Sequence, residues 1–233
     1  MWTRWFNRKK TRDLEQVRQS TVPEEHWPDE LSDFISTPLC NIDTTLSDAR
    51  YVAIDIETTG LSREDKILSI GMIDLDVHGI DLSSSEELLV THGEHVKAVS
   101  AQINELTPAQ LALGVNIHEA MARVLDRIKG KVILAHCSHI EKQFLDAYFH
   151  DYFQLEQLPC YYLDTLKLEK RYSYSGKTEQ HASYQLDDLR QHYRLPRYQS
   201  HSAASDALGC AEIFLVQVKK LNLHAITIRE AQC

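Results

Sequence analysis

The sequence predicts an α/β protein with a mixed central sheet that is flanked by helices. Two features carry this prediction. Three strand-like segments follow one another closely after residue 50, and after residue 116 short apolar runs alternate with helical periodicities. Strands joined by short turns form an antiparallel meander, whereas strands separated by helices run parallel. The sheet is therefore expected to combine both kinds of pairing.

The three strands of the expected meander differ in how their apolar residues are arranged. Residues 51–56 (YVAIDI) form an apolar, β-branched run, typical of a buried strand, and we place it at the centre of the sheet. Residues 66–77 alternate apolar and polar side chains with period two, and 86–91 repeat the alternation over a shorter length. A hairpin turn is expected between them at His78-Gly79.

The remaining elements are helices and two short strands. Residues 116–129 carry an apolar stripe at helical spacing, formed by Ile117, Met121, Val124, Leu125 and Ile128. Residues 131–135 (KVILA) predict a buried strand, followed by a helix to about residue 149. A last strand is expected at 161–163, with Asp164 as the N-cap of the next helix. Helical stretches are predicted at about 164–172, 183–193 and 203–221.

Composition sets the broad class of the protein. The 233 residues allow one sizeable domain and a short appendage, and 43% hydrophobic with 25% charged residues is typical of globular chains. The five cysteines show no CxxC pair, which argues against a disulfide framework and a zinc site. Such a cysteine set fits a reducing cytoplasm, where we expect the protein, and the sequence shows neither a signal-peptide pattern nor a membrane-length apolar run. The net charge of −9 argues against a broad nucleic-acid groove, but not against contacts with a few nucleotides.

The first part of the chain differs from the rest. Residues 1–46 are predicted to be an N-terminal extension, helical or partly mobile, and residues 47–233 the main domain. Basic residues near the start alternate with Trp2, Trp5 and Phe6, which would share one face of a helix. Two interpretations stay open: a helix that docks on a membrane surface or another protein, and a helix packed on its own domain or a partly mobile terminus.

Two acidic residues lie at the end of the most apolar predicted strand. Asp55 and Glu57 are two positions apart, so both carboxylates project from the same face. Like charges that are partly buried are costly unless a cation lies between them, and Mg²⁺ or Mn²⁺ prefers such oxygen ligands. For an isolated pair of this kind the alternative is that both acids face water.

The residues that follow these acids favour a cation site over two solvent-exposed acids. Residues 55–61 (DIETTGL) resemble the first motif of the DnaQ-like, or DEDD, exonuclease family, to which the exonuclease domain of the DNA polymerase III epsilon subunit belongs. The resemblance extends from about residue 50 to residue 218. It implies a ribonuclease H-like exonuclease fold for the domain at 47–233.

The third family motif is a histidine followed five residues later by an aspartate. Residues 201–206 (HSAASD) match it with His201 and Asp206, at the start of an apolar helix. A histidine in this place is similar to the DEDDh branch of the family. With 12 histidines in the chain, a lone His201 would be a surface residue, but its spacing to Asp206 favours a functional role.

The second motif departs from the family pattern. Residues 136–141 (HCSHIE) place Glu141 where the family has an aspartate and Cys137 where it has an asparagine. Asp146 is another candidate carboxylate, but on a helix it lies about 140° around the axis from Glu141, at roughly 100° per residue. We therefore expect Glu141 to belong to the site.

The resemblance implies a complete mechanism. Asp55, Glu57, Glu141 and Asp206 would hold two Mg²⁺ or Mn²⁺ ions, with Asp55 bridging them, and His201 would act as the general base. Thr58, Thr59 and Leu61 would line the pocket for the terminal nucleotide. The substrates would be 3′ ends of single-stranded DNA or RNA, the products nucleoside 5′-monophosphates, and a polymerase or another protein would bind through the N-terminal extension.

Two other functions compete with this hypothesis. The altered second motif would also fit a catalytically impaired module that acts in protein or nucleic-acid binding, although Asp55, Glu57, His201 and Asp206 are all present. An endonuclease on the same ribonuclease H-like architecture is the second alternative, and the spacing of 201–206 disfavours it.

Overall fold

The computed structural model describes residues 13–92, 106–174, 183–198 and 202–232. Within them, five strands form one sheet in the order β3-β2-β1-β4-β5. These are β1 (Tyr51–Thr58), β2 (Ile67–Asp76), β3 (Gly79–Leu89), β4 (Val132–Ala135) and β5 (Tyr162–Asp164). Strands β1, β2 and β3 pair antiparallel, and β4 and β5 continue the sheet in parallel with β1. The mixed sheet, the meander and the central position of β1 are thus confirmed.

Helices cover both faces of this sheet. In chain order they are α1 (Leu14–Ser20), α2 (Asp29–Ser36), α3 (Pro108–Leu111), α4 (Ile117–Ile128), α5 (His139–Phe153), α6 (Thr165–Tyr172), α7 (Leu186–His192), α8 (Ala203–Lys220) and α9 (Ile228–Ala231). One buried cluster joins β1 to α2, α4 and α5, and a second joins β1 to α6, α8 and α9. The helices expected from periodicity are present within a few residues of their predicted ends.

Strand β3 is longer than the sequence predicts. It begins at Gly79, directly after the hairpin turn, and not at residue 86. It lies at the edge of the sheet, has three consecutive serines in its middle, and is mostly exposed from Gly79 to Ser85. A strand that is solvated on both sides lacks the apolar alternation by which strands are found, and it is held mainly by backbone pairing with β2.

The part of the N-terminal segment that is described contacts the rest of the chain. Leu31, Phe34 and Ile35 of α2 are buried in the same cluster as α4, and Thr45 forms a β-bridge with Thr227. The predicted aromatic face at residues 2–6 lies outside the described residues. Among the helices that are described, none has the length and apolar character needed to cross a membrane.

Candidate active site

Strand β1 directs its two acids towards helix α8. Its even-numbered apolar residues, Val52 and Ile54, pack into the cluster with α4 and α5, whereas Tyr51 and Ala53 pack into the cluster with α8. Alternate residues of a strand point to opposite faces. Asp55 and Glu57 therefore emerge on the side of α8, at the end of the strand.

A glycine in the neighbouring strand lets the start of α8 approach the sheet. Gly71 of β2 is paired with Asp55, and a Cβ atom at position 71 would lie 2.0 Å from the carbonyl carbon and oxygen of Ala203. The backbone of the first turn of α8 thus rests directly on the glycine. Asp206 lies in that turn, where its N–H donates to the carbonyl oxygen of Ser202 at 2.9 Å.

This packing brings three carboxylates together. Asp55, Glu57 and Asp206 each offer an oxygen, and these oxygens lie within 4.8 Å of one another. The pKa of Asp55 is raised well above its usual range, first by desolvation and then by the negative charges of Glu141, Asp206 and Glu57. Because a cation between the carboxylates would offset both effects, the cluster has the chemistry of a divalent-metal site.

Glu141 follows β4, the strand that flanks β1 on the side opposite to β2. It lies in the first turn of α5. Glu141 is only 3% exposed, and this burial raises the pKa of its carboxyl group to about 8. Its Oε2 atom is buried and has no hydrogen-bond partner within the described part of the chain. An unsatisfied buried oxygen beside Asp55 fits a cation ligand.

The competing acid on α5 is engaged elsewhere. Asp146 accepts a hydrogen bond from Lys142 at 2.6 Å through one oxygen, and from the N–H of Leu158 at 2.9 Å through the other. These contacts orient the residue towards the chain that leaves α5. The structure thus places Glu141, and not Asp146, near Asp55.

The turn that carries Glu141 is organised by Asp164. One oxygen of Asp164 accepts from the N–H groups of Cys137 and Leu166, each at 3.0 Å, and the other from the N–H of Ser138 at 3.0 Å. Asp164 is thus the predicted N-cap of α6 and also holds the start of α5. This second role is not visible in the sequence, because Asp164 and the start of α5 are 26 residues apart. These hydrogen bonds stabilise a strained backbone, because Cys137 adopts a positive φ of 72°, which is unfavourable for a residue other than glycine.

The loop after β1 presents the predicted nucleotide-binding residues. Asp65 accepts hydrogen bonds from the hydroxyl of Thr59 at 2.9 Å and from the N–H of Ser62 at 2.9 Å, and so closes the loop on itself. The carbonyl oxygen of Leu61 accepts from Gln143 of α5 at 3.1 Å. Leu61 is 70% exposed, and Thr58 lies at the end of β1, directly after Glu57. Asp65 is a residue whose organising role the sequence analysis did not find.

The predicted general base is His201. His201 lies outside the described residues, which resume at Ser202. Of the five predicted catalytic residues, Asp55, Glu57, Glu141 and Asp206 come together around the end of β1.

Comparison with known proteins identifies sequence and fold relatives. The exonuclease family RNase_T matches residues 52–214. The chain is similar to the PolC-type DNA polymerase III of Thermotoga maritima, with 28% identity over 187 residues, which make up 79% of this chain and 13% of that protein. The chain thus spans about an eighth of the length of such relatives.

Solved structures share the fold at low identity. Exonuclease I of E. coli in complex with a dT13 oligonucleotide aligns with a TM-score of 0.60 and 16% identity, covering 75% of this chain and 43% of that one. The nuclease domain of 3′hExo, a DEDDh family member bound to rAMP, aligns with a TM-score of 0.60 and 15% identity, covering 76% and 94%. The predicted ribonuclease H-like exonuclease fold is confirmed by these alignments.

Proposed function

Because the chain belongs to the DnaQ-like (RNase_T) exonuclease family, we propose that it is a metal-dependent 3′-5′ exonuclease that releases nucleoside 5′-monophosphates. One observation carries the proposal: Asp55, Glu57 and Asp206 offer oxygens within 4.8 Å of one another at the end of β1, on the face that α8 covers. Glu141, which is buried, adds a fourth carboxylate near Asp55.

These four residues fit divalent cations. The donor set consists of carboxylate oxygens, which Mg²⁺ and Mn²⁺ prefer, and the Oε2 atom of Glu141 is buried without a partner among the described residues. Asp55, Glu57 and Asp206 would hold one ion, and Glu141 with Asp55 a second. When bound, such ions lower the pKa of the attacking water and stabilise the charge that develops on the leaving 3′ oxygen.

His201 would accept the proton of the attacking water. The support for this role is its spacing to Asp206 and its place in the sequence two residues before α8, whose first turn carries Asp206. The ordinary histidine pKa of about 6.5 suits proton transfer at neutral pH, and a general base contributes about 10²–10⁴-fold to the rate.

The loop that holds Leu61 would bind the terminal nucleotide. Its exposed apolar side chain offers a surface against which a base packs, and such contacts tolerate any base. We propose single-stranded 3′ ends of DNA or RNA as the substrate. Exonuclease I was solved with the oligonucleotide dT13 and 3′hExo with the ribonucleotide rAMP, which supports testing both DNA and RNA.

The similarity to PolC-type polymerases suggests a protein partner. We propose that a polymerase or another protein binds through residues 1–46, while 47–233 form the exonuclease domain. This division of the chain stays a prediction, as does the choice between Mg²⁺ and Mn²⁺.

The test is a degradation assay with 5′-labelled single-stranded DNA and RNA, in Mg²⁺, Mn²⁺ or EDTA. Asp55→Asn should abolish a metal-dependent ladder that shortens from the 3′ end, because the isosteric amide cannot balance a cation's charge. Asp126→Asn, on the exposed side of α4, is the matched control and should leave the ladder intact. Internal fragments would indicate the endonuclease. Absence of hydrolysis with either metal would favour the binding module, and Glu141→Asp should then be assayed for restored activity.

A further inference from the structure

We propose that Glu87 is a positioning residue, which fixes the first turn of α8, and with it Asp206, by accepting a hydrogen bond from Ser202. The hydroxyl of Ser202 donates to Oε2 of Glu87 at 2.9 Å. The inference rests on the proposed function, since it concerns the same acidic cluster.

The sheet provides a rigid base for this contact. Gly71 of β2 is paired with Asp55 on one side and with Glu87 of β3 on the other, so the three residues form one row across the sheet. The backbone of Ala203 rests on the middle residue of the row. Asp55 and Glu87 therefore flank the start of α8, and Glu87 is placed to hold it from the edge of the sheet.

Ser202 is used in an unusual way. Serine at the N-cap of a helix normally accepts a hydrogen bond from a backbone N–H of the first turn. Ser202 is the N-cap of α8, but its side chain makes no capping hydrogen bond and its hydroxyl is directed to Glu87 instead. The contact thus links the start of α8 to a strand 115 residues earlier in the chain. Ser202 also directly follows His201 in the sequence.

The negative charge of Glu87 and its hydrogen bond to Ser202 are two separate effects. The negative charge of Glu87 is one of the causes that raise the pKa of Asp55, so it adds repulsion to a cluster that already holds several carboxylates. A hydrogen bond that orients the turn carrying Asp206 gives Glu87 a role that does not depend on its charge. Partners that orient metal ligands typically contribute 10–100-fold to metal affinity or activity.

The experiment compares Glu87→Ala, Glu87→Gln, Ser202→Ala and the double variant Glu87→Ala/Ser202→Ala in the full chain. Calorimetry gives the Kd for Mn²⁺, and thermal unfolding in EDTA gives the metal-free stability. Glu87→Ala and Ser202→Ala should each weaken Mn²⁺ binding about 10-fold with a nearly unchanged Tm in EDTA. The double variant should be no weaker than either single variant, because both remove the same contact. Glu87→Gln keeps an acceptor oxygen and should bind Mn²⁺ like the wild type.

Glu86→Ala is the control that removes the same charge from the neighbouring position of β3. Glu86 contacts Arg123 and Arg127 instead of α8, so Mn²⁺ affinity should not change. Equal losses in Glu87→Gln and Glu87→Ala, with Ser202→Ala like the wild type, would indicate a charge effect and overturn the proposal. Wild-type affinity in Glu87→Ala would do the same.

The outcome for Glu87 is separable from that for the proposed function. If the wild-type protein hydrolyses no oligonucleotide but the Mn²⁺ affinities follow the expected pattern, the exonuclease proposal fails and the positioning role stands. If the wild type degrades oligonucleotides and the variants bind Mn²⁺ equally well, the positioning role fails alone.

Discussion

Replacing Gly71 with alanine should disable the acidic cluster while the sheet remains folded. The new methyl group would lie 2.0 Å from the carbonyl carbon and oxygen of Ala203 and 2.4 Å from the nitrogen of Ala204. Van der Waals contact between heavy atoms begins at about 3.5 Å. The first turn of α8 must therefore move by about 1.5 Å, and all contacting atoms are backbone, so no side-chain rotation relieves the clash.

The displacement is large compared with what catalysis tolerates. Asp206 moves with the first turn of α8, whereas Asp55 and Glu57 stay on β1. Groups in an active site must lie within about 0.5 Å of their productive positions, and a misplacement of about 1 Å costs on the order of 100-fold in rate. We expect kcat/KM to fall by at least about 100-fold. Overpacking should also reduce the free energy of unfolding by about 1–3 kcal/mol.

Gly79→Ala is the matched control for this substitution. Gly79 starts the adjacent strand of the same hairpin, and its added Cβ would meet nothing within 4 Å. Initial rates on 5′-labelled single-stranded oligonucleotides, the Kd for Mn²⁺ and circular dichroism should be measured for both variants. Wild-type rates and Mn²⁺ affinity in folded Gly71→Ala would refute the conclusion that α8 rests on Gly71 to place Asp206.

Three further substitutions test how the site is built. In EDTA, Glu141 loses its proton near pH 4.5 in the unfolded chain but only near about pH 8 in the folded protein, so Tm should fall as pH rises between these values. Glu141→Gln should flatten this slope, and parallel Tm curves for the two proteins would contradict the raised pKa. Asp164→Ala should reduce the free energy of unfolding, measured in urea, by about 3 kcal/mol, because the N–H groups at the start of α5 and α6 lose their acceptor. The control Asp126→Ala should reduce it by less than about 1 kcal/mol, and equal losses would argue against the role of Asp164. At the positive φ of Cys137, asparagine is tolerated better than other residues, so Cys137→Asn should be neutral or stabilising by up to about 1 kcal/mol and Cys137→Val destabilising by about 1–2 kcal/mol. A lower thermal midpoint for Cys137→Asn than for Cys137→Val would refute the backbone strain at this position.

Much of the fold follows from local patterns. The apolar run at 51–56, the alternation at 66–77 and the stripe at 116–129 each correspond to an observed element, since burial on one or two faces leaves a period in the sequence. The common face of Asp55 and Glu57 is equally local, because it depends only on the geometry of a strand. The angle that separates Asp146 from Glu141 around the helix axis likewise follows from local helix geometry.

The sequence by itself therefore determined the type of most elements, and the family motifs that name the candidate residues. Only the tertiary structure decided how far β3 extends, that α8 rests on Gly71, and that Glu87 reaches Ser202. It alone revealed that Asp164 holds the turn before Glu141. These features join segments that are far apart in the chain, and each depends on a close approach or a hydrogen bond. Neither leaves a periodic trace in the residues that take part.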